Sequence, residues 1–219
     1  MRRLKYILPF ILLLLGTTGC FHKPDETIVF LGPESYVKSI KEIVQNDTWE
    51  NDLLSHLDGV IEGYFPPNIE GEYKISEKQF VTSNFTDLSD HLDMYLKVEH
   101  QHNRIASVDL YEGESVYTDT AFIMGNQQWF TLYFKEKREL EYQGVLNAHH
   151  RLVVISGRKA DEGIANLYFG TLILDPGENV DPLVGSFIPG WYFIYKDKDG
   201  LSENCDWFSS HQEEGEEDE

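Results

Sequence analysis

Beyond Pro67 the apolar residues fall at every second position, and this period governs most of the chain. Ile69, Gly71, Tyr73 and Ile75 alternate with polar neighbours, as do Met94, Leu96 and Val98, with His100 and His102 continuing that face, and then Ala106, Val108 and Leu110. Val116–Met124 is rich in β-formers, Trp129–Phe134 is apolar or aromatic except at Thr131, and Leu152–Ile155 ends at Ser156-Gly157. Ile164–Leu174 and Trp191–Tyr195 complete the series. Successive side chains of a strand point to opposite faces, so this alternation predicts strands with one buried side. Asn103, Gly113, Gly125-Asn126, Asp175-Pro176-Gly177 and Asp199-Gly200 punctuate them as turns. Eight strands in roughly 130 residues leave no room for crossover helices, which argues for an antiparallel meander. The expected fold is therefore all-β: an eight-stranded antiparallel meander barrel, with a two-sheet sandwich as its competitor.

The N-terminal part follows a different rule. Val37, Ile40, Ile43 and Val44 recur at spacings of three and four, which places them on one helical face. The helical segment is expected over residues 35–63, starting near Glu34 or Ser35, interrupted at Asn46-Asp47 and resuming from Thr48 to Leu57. Gly59, Gly63 and the Tyr64-Phe65-Pro66-Pro67 stretch end it. The barrel domain is expected over residues 64–208, and the acidic run that closes the chain reads as a solvated, disordered tail over residues 209–219.

The first nineteen residues have the layout of an export signal. Arg2, Arg3 and Lys5 are followed by an apolar run from Tyr6 to Leu15 and by small residues before Cys20. The run is half the ~20 residues that a spanning helix needs. Once the signal is removed, 15 basic residues face 38 acidic ones. Phosphate backbones repel such a surface, so nucleic acid is not an expected partner. Anionic headgroups are repelled too, so membrane contact should come through an anchor and not through the domain surface.

Small residues running into Gly19-Cys20 resemble the lipobox of bacterial lipoproteins, with Thr17 where that family usually has Leu. The resemblance implies cleavage before Cys20, lipidation of its thiol and a tether over residues 20–34. It also implies a location at the outer membrane or cell surface, with the periplasmic face the other possibility. With its acidic domain and short strands, the chain resembles the uncharacterised lipoproteins of Bacteroides-type bacteria. The β region is similar to lipocalin-like, or calycin-like, barrels, and Gly71-Glu72-Tyr73 resembles their Gly-x-Trp with Tyr in place of Trp.

Candidate sites are few. Lipidation of Cys20 leaves Cys205 without an intrachain partner, so it reads as a small side chain and no disulfide framework is expected. Asn166, in Gly163-Ile164-Ala165-Asn166-Leu167, should face away from Leu167 and Phe169. If inward, it needs hydrogen-bond partners, as a latch or as a ligand contact. The turn Lys196–Asn204 offers Asp197, Asp199 and Gly200 at calcium-loop spacing, but Tyr195 occupies the first ligand position, so it reads as an Asp-Gly turn. His100 and His102 share a face, His149 and His150 point opposite ways, and all four read as polar strand residues and not as zinc ligands. No hydrolase elbow, zinc-protease or phosphate-loop motif occurs, so binding is expected in place of catalysis, with no cofactor. Among the aromatic residues Tyr73, Trp129 and Trp191, with Asn166, are the candidate ligand contacts. Two function classes stay open: a barrel enclosing a small apolar or amphipathic ligand, and a surface accessory that binds a glycan or a protein. Replacing Cys20 with Ala should leave the chain unlipidated and release it from the membrane fraction; retention there after carbonate washing would refute the anchor.

Overall fold

A computed structural model describes residues 38–57, 60–76, 78–84, 94–112, 115–142, 145–175 and 188–212. Cys20, the export signal, the expected tether and the expected helix start at Glu34 or Ser35 lie outside the described residues. Helix α1 (Ile40–Val44) starts at a capping box. The Ser39 hydroxyl accepts from the Glu42 amide at 3.2 Å while the Glu42 carboxylate accepts from the Ser39 amide at 2.6 Å, which satisfies two otherwise orphaned donors. Asn46 caps helix α2 (Asp47–His56) by accepting from the Thr48 and Trp49 amides, so the expected interruption at Asn46-Asp47 is a cap.

The strands are β1 (Tyr64–Phe65), β2 (Gly71–Ile75), β3 (Lys78–Ser83), β4 (Met94–His102), β5 (Ile105–Glu112), β6 (Ser115–Asn126), β7 (Trp129–Tyr142), β8 (Val145–Ala160), β9 (Gly163–Asp175), β10 (Tyr192–Asp197) and β11 (Leu201–Asn204). From β4 to β9 each strand pairs antiparallel with the next in sequence. Strands β10 and β11 both run antiparallel along β9, as two halves of one bent strand; β2 and β3 pair with them in the same way. Because β11 pairs with β2 as well as β9, the sheet closes into an eight-stranded antiparallel barrel. The sandwich alternative is thereby excluded, since its two sheets would leave that seam open.

The period-two residues fill the barrel. Met94, Leu96 and Val98 from β4, Val108 and Leu110 from β5, and Phe130, Leu132 and Phe134 from β7 belong to one buried interior cluster with Tyr73 and Phe169. Burying each such aliphatic or aromatic side chain contributes about 1.5–3 kcal/mol, which makes this interior the main driving force for folding. A second cluster lies on the outer wall, where α1 and α2 set Ile40, Val44, Leu53 and Leu57 against Leu152, Val154, Leu172 and Ile194. Gly170 makes that approach possible, because a Cβ there would come within 3.1 Å of the Leu57 side chain.

Toward one end the interior turns from apolar to charged. Arg151, 1% exposed, donates from Nε to Glu136 at 2.7 Å and from Nη2 to Glu112 at 2.8 Å. Arg138 reaches Glu112 at 3.0 Å and Lys78 lies 3.6 Å from it. The Tyr117 ring lies 5.4 Å from the Arg138 guanidinium and 5.9 Å from that of Arg151. Burial alone would raise the Glu112 carboxyl, but Arg151, Arg138 and Lys78 overcome it and hold the group at about 2.

Several elements depart from the sequence expectation. Strand β8 does not end at Ser156-Gly157 but runs through them to Ala160, because the missing Cβ of Gly157 gives room to Ile164. Strands β3 and β11 and the distal halves of β7 and β8 are strands where none was expected. The C-terminal boundary also moves. Helix α3 (Trp207–Gln212) takes up residues 209–212, assigned above to the disordered tail. Trp207 pins it by stacking 4.7 Å from Tyr95 and packing at a tilt 4.3 Å from Tyr111. The rest of the tail lies outside the described residues.

Two predictions follow from the buried charges. Arg151→Met should destabilise the protein by about 3–5 kcal/mol in urea unfolding, because two carboxylates lose their buried partner. Glu112 binds its proton less readily folded than unfolded, so its contribution is present above pH ~4.5 and is lost as pH falls toward 2. The urea midpoint should therefore drop between pH 4.5 and 3, and Glu112→Gln should flatten that part of the curve.

Candidate functional site

One of the irregularities in the barrel wall borders a concavity. Between Ala165 and Tyr168 the pairing of β9 with β8 slips, so three residues of β9 span what two residues of β8 span. Asn166 takes up the difference with a left-handed backbone, φ 52°, a conformation that Asn tolerates better than most residues. Its side chain is exposed, while Ile164, Leu167 and Phe169 all stay in the core. Asn166 thus lies opposite Leu167 and Phe169, as expected, but it is not an inward latch: the bulge puts it on the outside.

Across the seam the other strand is interrupted too. Residues 198–200 separate β10 from β11, and the Asn166 amide donates to the Gly200 carbonyl at 3.0 Å. The Asp199 carboxylate accepts from the Leu201 amide at 3.1 Å, which fixes an Asp-led turn at Gly200, φ 81°. The expected Asp-Gly turn is present. Asp197 is 4% exposed. Its Oδ2 accepts from the Ser202 hydroxyl at 2.5 Å, its Oδ1 is sealed from solvent, and its carboxyl shares a side-chain hydrogen bond with Asp199. Burial, with Asp199 beside it, pushes the Asp197 carboxyl up to about 6.

These two interruptions, with Trp129 at the start of β7, form a cleft of about 500 Å³ on the outside of the barrel. Trp129, Asn166, Lys196, Asp197, Lys198 and Asp199 line it over a floor that includes Leu167. A volume of about 300–1,000 Å³ is usual for small-molecule sites. A second cleft of about 340 Å³, beside Glu72, Lys97 and His100, is shallower and lacks an aromatic wall.

Of the four candidate ligand contacts, the structure brings together Trp129 and Asn166. Tyr73 is fully buried in the barrel. Its hydroxyl donates to the Ile69 carbonyl at 2.8 Å and accepts from the Lys159 ammonium at 2.8 Å, so it secures one end of the interior. Trp191 lies beyond the β9–β10 pairing, bonded through its carbonyl to Ile173, and does not line the cleft. The histidine groups stay apart, on strands β4 and β8, which are not neighbours. His149 is buried, whereas His150 faces out and bonds Asp175 at 3.0 Å. Burial, with Arg151 and Arg138 nearby, pushes His149 down to about 4, so it stays neutral near pH 7. Sequence reasoning missed Asp197 as a buried group and Lys196 and Lys198 as wall residues. The only available signal was their place in the turn already singled out.

Comparison with protein-family models, with curated proteins and with solved structures returned no match.

The strained position gives a direct check on the cleft. Asn166→Val should cost about 1–3 kcal/mol in urea unfolding, because a β-branched residue resists φ 52°, whereas Asn166→Gly should change stability by less than about 1 kcal/mol.

Proposed function

We propose that this protein is an exported lipoprotein, anchored through Cys20 at the outer membrane or cell surface, which binds its ligand in the cleft of the barrel wall and not inside the barrel. The observation that carries the location of the ligand is the state of the interior. Phe130, Phe134, Phe169 and Tyr73 are at most 1% exposed and pack together in the interior cluster. An apolar or amphipathic guest within that half of the barrel would have to displace these side chains at the cost of core packing. The cleft needs no such displacement and already joins an aromatic side chain to convergent polar groups. The signal layout and the Gly19-Cys20 junction support export and anchoring. A binding role without catalysis accords with a cleft in which one carboxylate is tied to a hydroxyl and the other to a backbone amide.

The full chain labelled with 5-fluorotryptophan tests this reading, since each of its four tryptophans gives its own ¹⁹F resonance. Screened against fatty acids, bile acids, amino acids and oligosaccharides, the protein should show saturable shifts at Trp129 while Trp49, Trp191 and Trp207 stay in place. A ligand that shifts the others and spares Trp129 would move the site elsewhere.

A further inference from the structure

The two most exposed large hydrophobic side chains among the described residues are neighbours. Tyr64 is 68% and Phe65 80% exposed, and neither sits on a loose loop. Strand β1 is pinned along β6: the Gly125 amide donates to the Gly63 carbonyl at 3.2 Å, and the Gln127 amide to the Phe65 carbonyl at 2.9 Å. Glycine at position 63 makes that approach possible, because a Cβ there would overlap the Gly125 carbonyl. Register then extends the pair into a row. Phe65 lies opposite Asn126, Asn126 opposite Trp129, and Trp129 opposite Arg158. Directly opposed residues share a face, and since Phe130 points into the barrel, this row faces out. Arg104 adds a second cation, its guanidinium 5.1 Å from the Tyr64 ring, and the turn after β6 contributes the neutral Gln127 and Gln128.

Row and turn hold no acid, in a chain with 38 acidic and 18 basic residues. Aromatic rings among cations and neutral amides suit the headgroup boundary of a bilayer, where the rings bury an apolar body and guanidinium groups meet phosphate. Exposed acids border the row at Glu62, Asp161 and Glu162, so the matching surface is zwitterionic and not anionic. The chain also arrives on this part of the wall. The Lys38 carbonyl, at the start of the described residues, accepts from the Tyr133 hydroxyl at 2.8 Å. Tyr133 stands three residues along β7 from Phe130, the partner of Gly125, which is about 10 Å. The 18 residues from Cys20 to Lys38 reach no further than about 60 Å. A lipid on Cys20 therefore keeps the row beside the membrane at high effective concentration, where a modest intrinsic affinity suffices. Given the anchoring through Cys20 proposed above, we infer that Tyr64, Phe65 and Trp129, with Arg104 and Arg158, form a membrane-contact face. It lays the barrel against the zwitterionic headgroup layer that carries the anchor, and the cleft, which shares Trp129, opens at its edge.

The test uses the full chain, purified with its native amino-terminal modification and reconstituted into phosphatidylcholine vesicles. Phe65→Trp places a fluorescent reporter on the row, and Tyr64→Trp a second one beside it. Val116→Trp is the control: Val116 is 51% exposed on the same strand, nine residues from Gly125, or about 30 Å away. All three positions are exposed, so melting temperatures should stay unchanged. Lipids brominated near the carbonyl end of their acyl chains should quench the emission added at positions 64 and 65 at least about twofold, and leave that added at position 116 unaffected. Flotation of the same vesicles reads the anchor separately. If the chain floats with the vesicles but the reporters at 64 and 65 are quenched no more than the control, the anchor stands and the contact face is overturned. If the chain does not float, the anchor falls and the contact face with it. If the emission at 64 and 65 follows protein density in the vesicles and ignores bromination, the row meets a second copy of the chain, and membrane contact is overturned.

Discussion

The seam where the last strand meets the first holds this molecule together. Hydrogen bonds from β11 to both β9 and β2 turn a meander into a ring, and in a ring every backbone donor and acceptor of the wall has a neighbour to pair with. Closure also defines an inside, so the period-two side chains pack against one another and not against solvent. The outer helices do not close the barrel. They add a second, smaller apolar layer where Leu53 and Leu57 meet Gly170.

The same seam explains why the cleft lies where it does. A barrel with every residue in register has a smooth wall. Here the extra residue at Asn166–Leu167 and the break at residues 198–200 face each other, and two local irregularities on adjacent strands open one concavity. The apolar interior stays continuous beneath it, since Leu167 and Phe169 regain their inward phase immediately after the bulge. The wall therefore gives up regular pairing here without exposing its core.

Much of the fold was readable from residue spacing because alternation maps directly onto the two faces of a strand. It failed where inward positions are charged. Glu112 continues the face of Leu110, Glu136 and Arg138 continue that of Phe134, and Arg151 precedes Val153 on the same side, yet in a linear sequence such residues look solvent-facing. Only their mutual pairing makes the interior positions tolerable, and pairing across three strands has no local signature. Strand β3 was obscured similarly, since Lys78 is its inward residue. Trp129 and Asn166 were singled out separately, 37 positions apart. The β7–β8–β9 meander brings them together, and the bulge that turns Asn166 outward follows from a register slip that composition does not reveal.

Sealing the ring with residues 192–204 has a consequence for biogenesis. Until that stretch emerges, β2 and β9 are open edges with unsatisfied amides and carbonyls, and such edges recruit other chains. A polypeptide of this topology cannot complete its architecture progressively from the amino end. The chain as far as residue 204 must be synthesised before the final join can form. Holding the unfinished chain apart from its copies during that interval is a task for chaperones, and the strong negative charge of the sequence gives them electrostatic help.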